Sequence, residues 1–323
     1  MKLKLTYIYH SGFAIQAPGL TILIDYWQDT APGRGGESVT LEILPGERVT
    51  AIDTSNALGV GDKMKPASNE REETTLCEGE ETKLSVREET KLTVREDTTL
   101  AEGEKTKADE GVVSKGWVRR WLEEAPAGEA FYVLSSHFHA DHFNPEVLTW
   151  RSLHPDIHYI LSADIAKHRR APRSAATFLH KGESYSDERL TVKAFGSTDV
   201  GVSFLLTLDG VTLFHAGDLN NWHWQDESTP EEVRKAEGDY LAELRNIQRE
   251  VEAVDVAFFP VDNRMGSDYM RGARQFVEAI RVGLFVPMHY DEEVAAAAAF
   301  RPIAQANGAG VWMRPLPAPH KGG

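Results

Sequence analysis

The run His137-Phe138-His139-Ala140-Asp141-His142 puts three imidazoles and a carboxylate within six positions. Neutral imidazole nitrogens and carboxylate oxygens are donors that borderline cations such as zinc accept. A single histidine near a strand end is usually a satisfied polar residue. Four donors at this spacing point to a metal site. Two later segments offer the same chemistry. Phe214-His215-Ala216-Gly217-Asp218 carries a carboxylate after an apolar run, and Phe285-Val286-Pro287-Met288-His289 carries an imidazole. No Ser-His-Asp or Cys-His arrangement competes with them, and no glycine-rich phosphate loop follows a strand. The sole cysteine, Cys77, has no partner for a disulfide or a thiolate metal site.

These residues need elements to hold them. The apolar run 131–136 reads as a buried strand leading into the histidines. Asn144-Pro145 then opens a helix, with proline suited to its first turn. The donors therefore lie on a strand-to-helix loop, where open α/β sheets place their chemistry. Upstream, 3–9, 13–15 and 20–24 read as antiparallel strands broken at Gly12 and Pro18. Downstream, 157–161, 191–195, 202–208 and 211–215 read as strands, the last two joined by an Asp209-Gly210 turn. Thr229-Pro230-Glu231-Glu232 starts a long helix. Strands at 254–261 and 284–287 alternate with helices at 268–280 and 292–300, and a short helix spans 117–122. Antiparallel strands followed by strand–helix alternation imply sheets sandwiched between helices.

Bulk composition narrows the classes. The chain has 323 residues, 41% hydrophobic, enough for one large domain or two small ones. A net charge of −15 argues against a general nucleic-acid or anionic-membrane binder. The opening residues Met1-Lys2-Leu3-Lys4-Leu5 do not read as a secretory signal. No stretch approaches the ~20 apolar residues of a membrane helix. A cytoplasmic protein with a small-molecule substrate is the expectation; oligomeric state is left open.

Residues 71–110 form five octads: REETTLCE, GEETKLSV, REETKLTV, REDTTLAE and GEKTKADE. Each has Thr at its fourth position, and the first four have Leu at the sixth. About one apolar residue per octad buries too little surface to offset chain ordering. A solvated insertion is the first reading. A short β-solenoid or stacked hairpins is the second, since Thr-Lys-Leu-Thr-Val alternates like a strand. The flank at 28–70, rich in Gly and Pro, reads as irregular.

Over residues 1–27 and roughly 112–290 the chain resembles the metallo-β-lactamase-fold hydrolases. The signatures are Asp25 ending an early strand, the H-x-H-x-D-H loop, Gly217-Asp218 after a hairpin, and the strand-end His289, all in family order. Tyr9-His10-Ser11-Gly12-Phe13 looks like the branch that includes ascorbate-6-phosphate lactonase. The resemblance implies an α+β fold, an αββα sandwich of two mixed sheets flanked by helices. A metallo-hydrolase domain would comprise 1–27 and 111–323, with 28–110 an insertion carrying the repeats. It also implies roles. His137 and His139 would hold a first metal, Asp141, His142 and His289 a second, and Asp218 would bridge both. Asp25 would orient a ligand from behind.

One position departs from the family pattern. The family has a third imidazole for the first metal in a turn matching Gly196-Ser197-Thr198-Asp199, and here Ser197 stands at that place. Three arrangements follow. The first site keeps His137, His139 and Asp218 with water. Or Asp199, His215, His223 or His10 replaces the missing donor. Or only the second site binds. His223 also reads as a substrate or lid residue, and Arg264 as a partner for a substrate anion.

The resulting expectation is a hydrolase using one or two Zn²⁺, with Mn²⁺ or Fe²⁺ as alternatives. Water on such cations becomes a hydroxide nucleophile near neutral pH. Asp141 and Asp218 would fix its geometry and accept its proton. The bond attacked would belong to an ester, lactone or phosphodiester of a small metabolite. A nuclease or phosphodiesterase of the same fold, using Lys167, Arg169, Arg170, Arg173 and Lys181, is one alternative. A non-catalytic metal-binding regulatory protein is another.

Overall fold

Residue alternation along the early strands sets the layers. On β3 (Leu20–Ile24), Ile22 and Ile24 join one apolar cluster and Leu23 another. On β5 (Ala130–Ser135), Tyr132 and Leu134 fall with the first group, Phe131 and Val133 with the second. Successive side chains of a strand point to opposite faces, so both strands are covered on both sides. The computed structural model describes residues 1–29, 36–43, 116–126 and 128–314. The octads and most of their flanks lie outside the described residues.

Two sheets of seven strands each result. The first runs β4 (Ser38–Glu42), β1 (Lys2–Tyr9), β2 (Gly12–Ala17), β3, β5, β6 (His158–Ser162), β7 (Thr177–Leu179). The second runs β14 (Gly310–Val311), β13 (Arg281–Met288), β12 (Ala253–Pro260), β11 (Val211–His215), β10 (Ser203–Leu208), β9 (Thr191–Phe195), β8 (Ser184–Ser186). Each is mixed. Pairing is antiparallel from β4 to β3 and parallel from β3 to β7, and antiparallel from β8 to β11 and parallel from β11 to β14. The facing sides meet in one cluster that includes Ile15, Ile22, Leu134, Phe204, Leu213 and Phe258. Each such side chain, fully buried, contributes about 1.5–3 kcal/mol.

Helices cover the outer faces. Val118 and Leu122 of α1 (Trp117–Glu124) pack on the first sheet with Phe131, Val133 and Trp150. A short helix, α2 (Ala163–Lys167), follows β6. Tyr240, Leu244 and Ile247 of α3 (Pro230–Gln248) and Phe276 of α4 (Arg271–Ala279) cover the second sheet. Thr229 caps α3 in a capping box with Glu232, as its sequence predicts. The architecture is the expected αββα sandwich. Several elements differ from expectation: β7, β8, β14 and α2 were not foreseen, and the helix expected at 292–300 is two, Val294–Ala298 and Arg301–Ala306. Ser38–Glu42, in the flank read as irregular, is an edge strand paired with β1 in register Leu3–Leu41 and Leu5–Val39. The segment after Asn144 is a 3₁₀ helix, Pro145–Ser152, rather than an α-helix. Among the described residues no helix is long and apolar enough to cross a membrane.

The parallel strands place their carboxyl ends together. β3 ends before Asp25, β5 before His137, β11 before Asp218, β12 before Asp262 and β13 before His289. Gly201 and Gly217 let neighbouring loops close over this edge. Gly201 has φ +74°, and a Cβ there would lie 2.1 Å from the Ser136 carbonyl oxygen and 2.4 Å from His137 Cβ. Gly217 has φ +53°, and its Cβ would lie 2.7 Å from Ser136 Cβ. Gly201→Ala is therefore expected to cost about 1–3 kcal/mol through overpacking and a left-handed backbone. Urea unfolding of the metal-free protein would measure it, and an unchanged midpoint would contradict the close approach.

Candidate metal centre

The histidine loop is held from behind by Asp25. This carboxylate is fully buried at the end of β3 and accepts hydrogen bonds from the Ser136 amide (2.7 Å), the Ser136 hydroxyl (2.6 Å) and His142 Nδ1 (2.8 Å). The Nδ1–H bond leaves His142 Nε2 as the free donor atom. Asp262, after β12, accepts from His289 Nδ1 at 2.9 Å and turns its Nε2 toward Asp218. Arg264 grips the Asp262 carboxylate with Nε (2.9 and 3.0 Å) and Nη2 (2.6 Å). The guanidinium read as an anion partner thus turns one edge to Asp262, and half of its side chain stays exposed.

Asp218 lies between the imidazoles. One of its oxygens is 3.1 Å from His142 Nε2 and 3.5 Å from His289 Nε2; the other is 3.4 Å from His137 Nε2. Two groups of donors form around it. His137, His139, Asp199 and Asp218 make the first, and His10, Asp141, His142 and His289 the second. Within each group the ligating atoms lie within 4.8 Å of one another.

The chemistry of the donors fits divalent cations. His142 Nε2 and the near oxygen of Asp218 are buried and make no hydrogen bond of acceptable geometry, although they are neighbours. Burial opposes charge on His142, but the carboxylates of Asp218 and Asp25 outweigh it and hold its imidazole well above the ordinary value. Burial likewise pushes Asp218 up, and His142 and His289 outweigh it, leaving the carboxyl well below the usual range. Burial, reinforced by His142, pushes His137 down to about 3, so it offers a neutral donor at pH 7.

Four non-glycine residues here adopt left-handed backbone: His10 (φ 57°), Asp25 (50°), His289 (65°) and Asp291 (44°). Such conformations cost of order 1–3 kcal/mol each and persist where surrounding contacts fix them. The His289 amide donates to the His10 carbonyl at 3.2 Å, tying the β1–β2 turn to the end of β13.

A family model for the β-lactamase superfamily domain matches residues 4–233. The chain belongs to the metallo-β-lactamase superfamily. Among solved structures, it is similar to Igni18, a metallo hydrolase from Ignicoccus hospitalis, at 15% identity and TM-score 0.50, covering 98% of this chain and 96% of that one. It is also similar to a proposed metal-dependent hydrolase from Parabacteroides distasonis at 14% identity and TM-score 0.50, covering 98% and 94%. These likenesses show the metallo-β-lactamase fold. A search of curated proteins finds no match.

Within that fold, the structure places the sequence candidates as follows. His137, His139, Asp141, His142, Asp218 and His289 converge. Asp199 stands 3.5 Å from His139 Nδ1, on the turn where the superfamily pattern has an imidazole. Ser197 shapes that turn: its hydroxyl accepts from the Asp199 amide at 3.3 Å. His10 sits against the second group, not the first. His215 is bound through Nε2 to the Ser11 carbonyl (2.9 Å) and through Nδ1 to the Gly217 amide (3.2 Å), so neither nitrogen is free. The same holds for His223, with Nε2 on the Asp268 carbonyl (3.1 Å) and Nδ1 on the Gln225 amide (3.1 Å). Neither offers a nitrogen to a metal. Sequence reasoning missed Ser136 and Asp291. Ser136 borders the motif and could have been found there. Asp291 is 281 positions from its partner His10 and carries no local signal.

Asp25→Asn is expected to keep the shape of this support but lose its charge, weakening metal binding by about 10–100-fold. Competition against a chromophoric chelator would read it. Wild-type affinity in the variant would remove Asp25 from the metal's support.

Proposed function

We propose that this chain is a metal-dependent hydrolase acting on an ester, lactone or phosphodiester of a small metabolite. The observation that carries the reading is the pair of donor groups meeting at Asp218 beneath a cavity of about 420 Å³. Its size suits a small molecule. Trp222 and Trp224 form one wall, with Asp199, Asp262 and Arg264 around the floor. The Trp222 indole N–H donates to the Asp218 carbonyl (2.8 Å), and its ring lies 5.4 Å from that of His289 and 6.4 Å from Trp224.

Cations bound in the two groups would polarise a carbonyl or phosphoryl oxygen and lower the pKa of a coordinated water. Zn²⁺ suits the imidazole-rich second group; Mn²⁺ or Fe²⁺ also suits the first, with its two carboxylates. The remaining work falls to the chain. Asp218 orients donors on both sides through its two oxygens. Asp141, with 39% of its side chain exposed, is open to solvent and accepts a proton from water. The stacked tryptophans exclude water and take up the flat or apolar part of the substrate.

The nuclease alternative needs basic residues along this cavity. Lys167, Arg173 and Lys181 instead line a different cavity of about 500 Å³, and Lys181 is paired with Glu243. Aromatic and acidic walls at the donors favour a small metabolite.

Metal-stripped protein is expected to be inactive, and Zn²⁺ or Mn²⁺ to restore hydrolysis of aryl ester, lactone or bis-aryl phosphate reporters. His142→Ala should lower the restored kcat/KM by at least about 100-fold. Stoichiometric metal uptake without turnover on every reporter would instead support a regulatory metal-binding protein.

A further inference from the structure

His10 is not among the metal ligands that the superfamily resemblance assigns, yet its environment is that of one. Its side chain is 2% exposed. Nδ1 lies 2.7 Å from an oxygen of Asp291, so it carries the proton and donates. Nε2 is then a bare lone pair. It is buried, has no hydrogen-bond partner, and lies 3.6 Å from an oxygen of Asp141. The ring centroid is 4.1 Å from that of His289 and 5.3 Å from that of His142. Imidazole bound through one nitrogen to a carboxylate, with the other aimed at further donors, is the arrangement of metal-ligating histidines. Asp25–His142 and Asp262–His289 repeat it within the same centre.

A packing role accounts for less. Trp27 lies against the ring edge at a centroid distance of 5.7 Å, and a phenylalanine would serve that contact. It would not require a carboxylate at Nδ1 or a left-handed backbone at both His10 and Asp291.

We propose that His10, oriented by Asp291, is a protein donor to the second cation, which makes that subsite the tighter of the two. This rests on the metal-dependent reading above. The second subsite would draw on His10, His142, His289, Asp141 and Asp218, three imidazoles and two carboxylates. The first would draw on His137, His139, Asp199 and Asp218, and its outer members are open to solvent: 39% of the His139 side chain and 43% of Asp199 are exposed. More nitrogen donors, all three of them buried, favour Zn²⁺ at the second subsite, where only Asp141 is partly exposed.

Zinc titration of metal-stripped protein by calorimetry tests this, with thermal unfolding of each metal-free variant as the folding control. Wild type should bind two Zn²⁺ per chain in a tight and a weaker step. His10→Gln should weaken the tight step by 10-fold or more, and Asp199→Ala only the weaker one. Asp291→Asn, on a partly exposed side chain, should weaken the tight step by about 10-fold and stands in if His10→Gln fails to fold. The visible spectrum of the Co²⁺ form should change in His10→Gln when one equivalent is bound. Two-step binding with the tight step and spectrum unchanged in both His10→Gln and Asp291→Asn overturns the role of His10 and leaves the hydrolase reading intact. A weakening of the tight step by Asp199→Ala instead reverses the ranking and also overturns the proposal. No zinc uptake by wild type overturns both readings.

Discussion

The centre depends on one carboxylate shared by imidazoles from both sheets. Asp218 leaves β11 of the second sheet, and its oxygens face His142 and His289 on one side and His137 on the other. Buried imidazoles crowded together would repel one another once protonated, and would leave unmet lone pairs if neutral. A single buried anion among them settles their orientation only if the loops bearing them are rigid. Much of the surrounding structure supplies that rigidity. Gly201 and Gly217 allow the loops to close on Ser136, Asp25 locks Ser136 and His142, and Asp262 with Arg264 locks His289.

The same constraint explains why strain gathers here. Tight backbone turns at His10, Asp25, His289 and Asp291 each bend the chain at or near a strand end so that a side chain points inward. A residue continuing in extended geometry would carry its side chain along the sheet. The cost of four left-handed residues is offset by the hydrogen bonds at Asp25 and Asp262, together with the apolar core beneath. Phe13 and Phe258, with ring centroids 4.5 Å apart, pack the two sheets against each other under the site.

Much of this was legible in the sequence because ligand identity and strand ends are local signals. Apolar runs gave 191–195 and 211–215 with the bounds later found, the second ending in His215, and the Thr229 cap gave the start of α3. The H-x-H-x-D-H spacing named four donors at once. What was illegible depends on distance. Strand β4 is short and sits in Gly- and Pro-rich surroundings; only pairing with β1 makes it a strand. Asp199 was one of several replacement candidates until the turn at Ser197 placed it beside His139. His215 and His223 were also replacement candidates, His223 reading as a substrate or lid residue as well. Backbone groups from distant segments occupy both nitrogens of each, and no sequence pattern announces that.

The two donor groups are unequal in a way that bears on how substrate arrives. The second lies beneath the β1–β2 turn and the end of β13, with its three imidazoles buried and Asp141 partly exposed. The first opens outward at His139 and Asp199, and Trp222 stands against His289 of the second. The cavity is lined by members of both groups, Asp199 and Asp218 of the first and His289 of the second. Exchange of ligands is easier where donors are solvated and side chains can move. Firm anchoring is easier where donors are braced by a second hydrogen bond, as Asp291, Asp25 and Asp262 brace His10, His142 and His289. With cations in both groups, the braced imidazoles of the second would fix the geometry and the exposed donors of the first would leave room for a substrate oxygen.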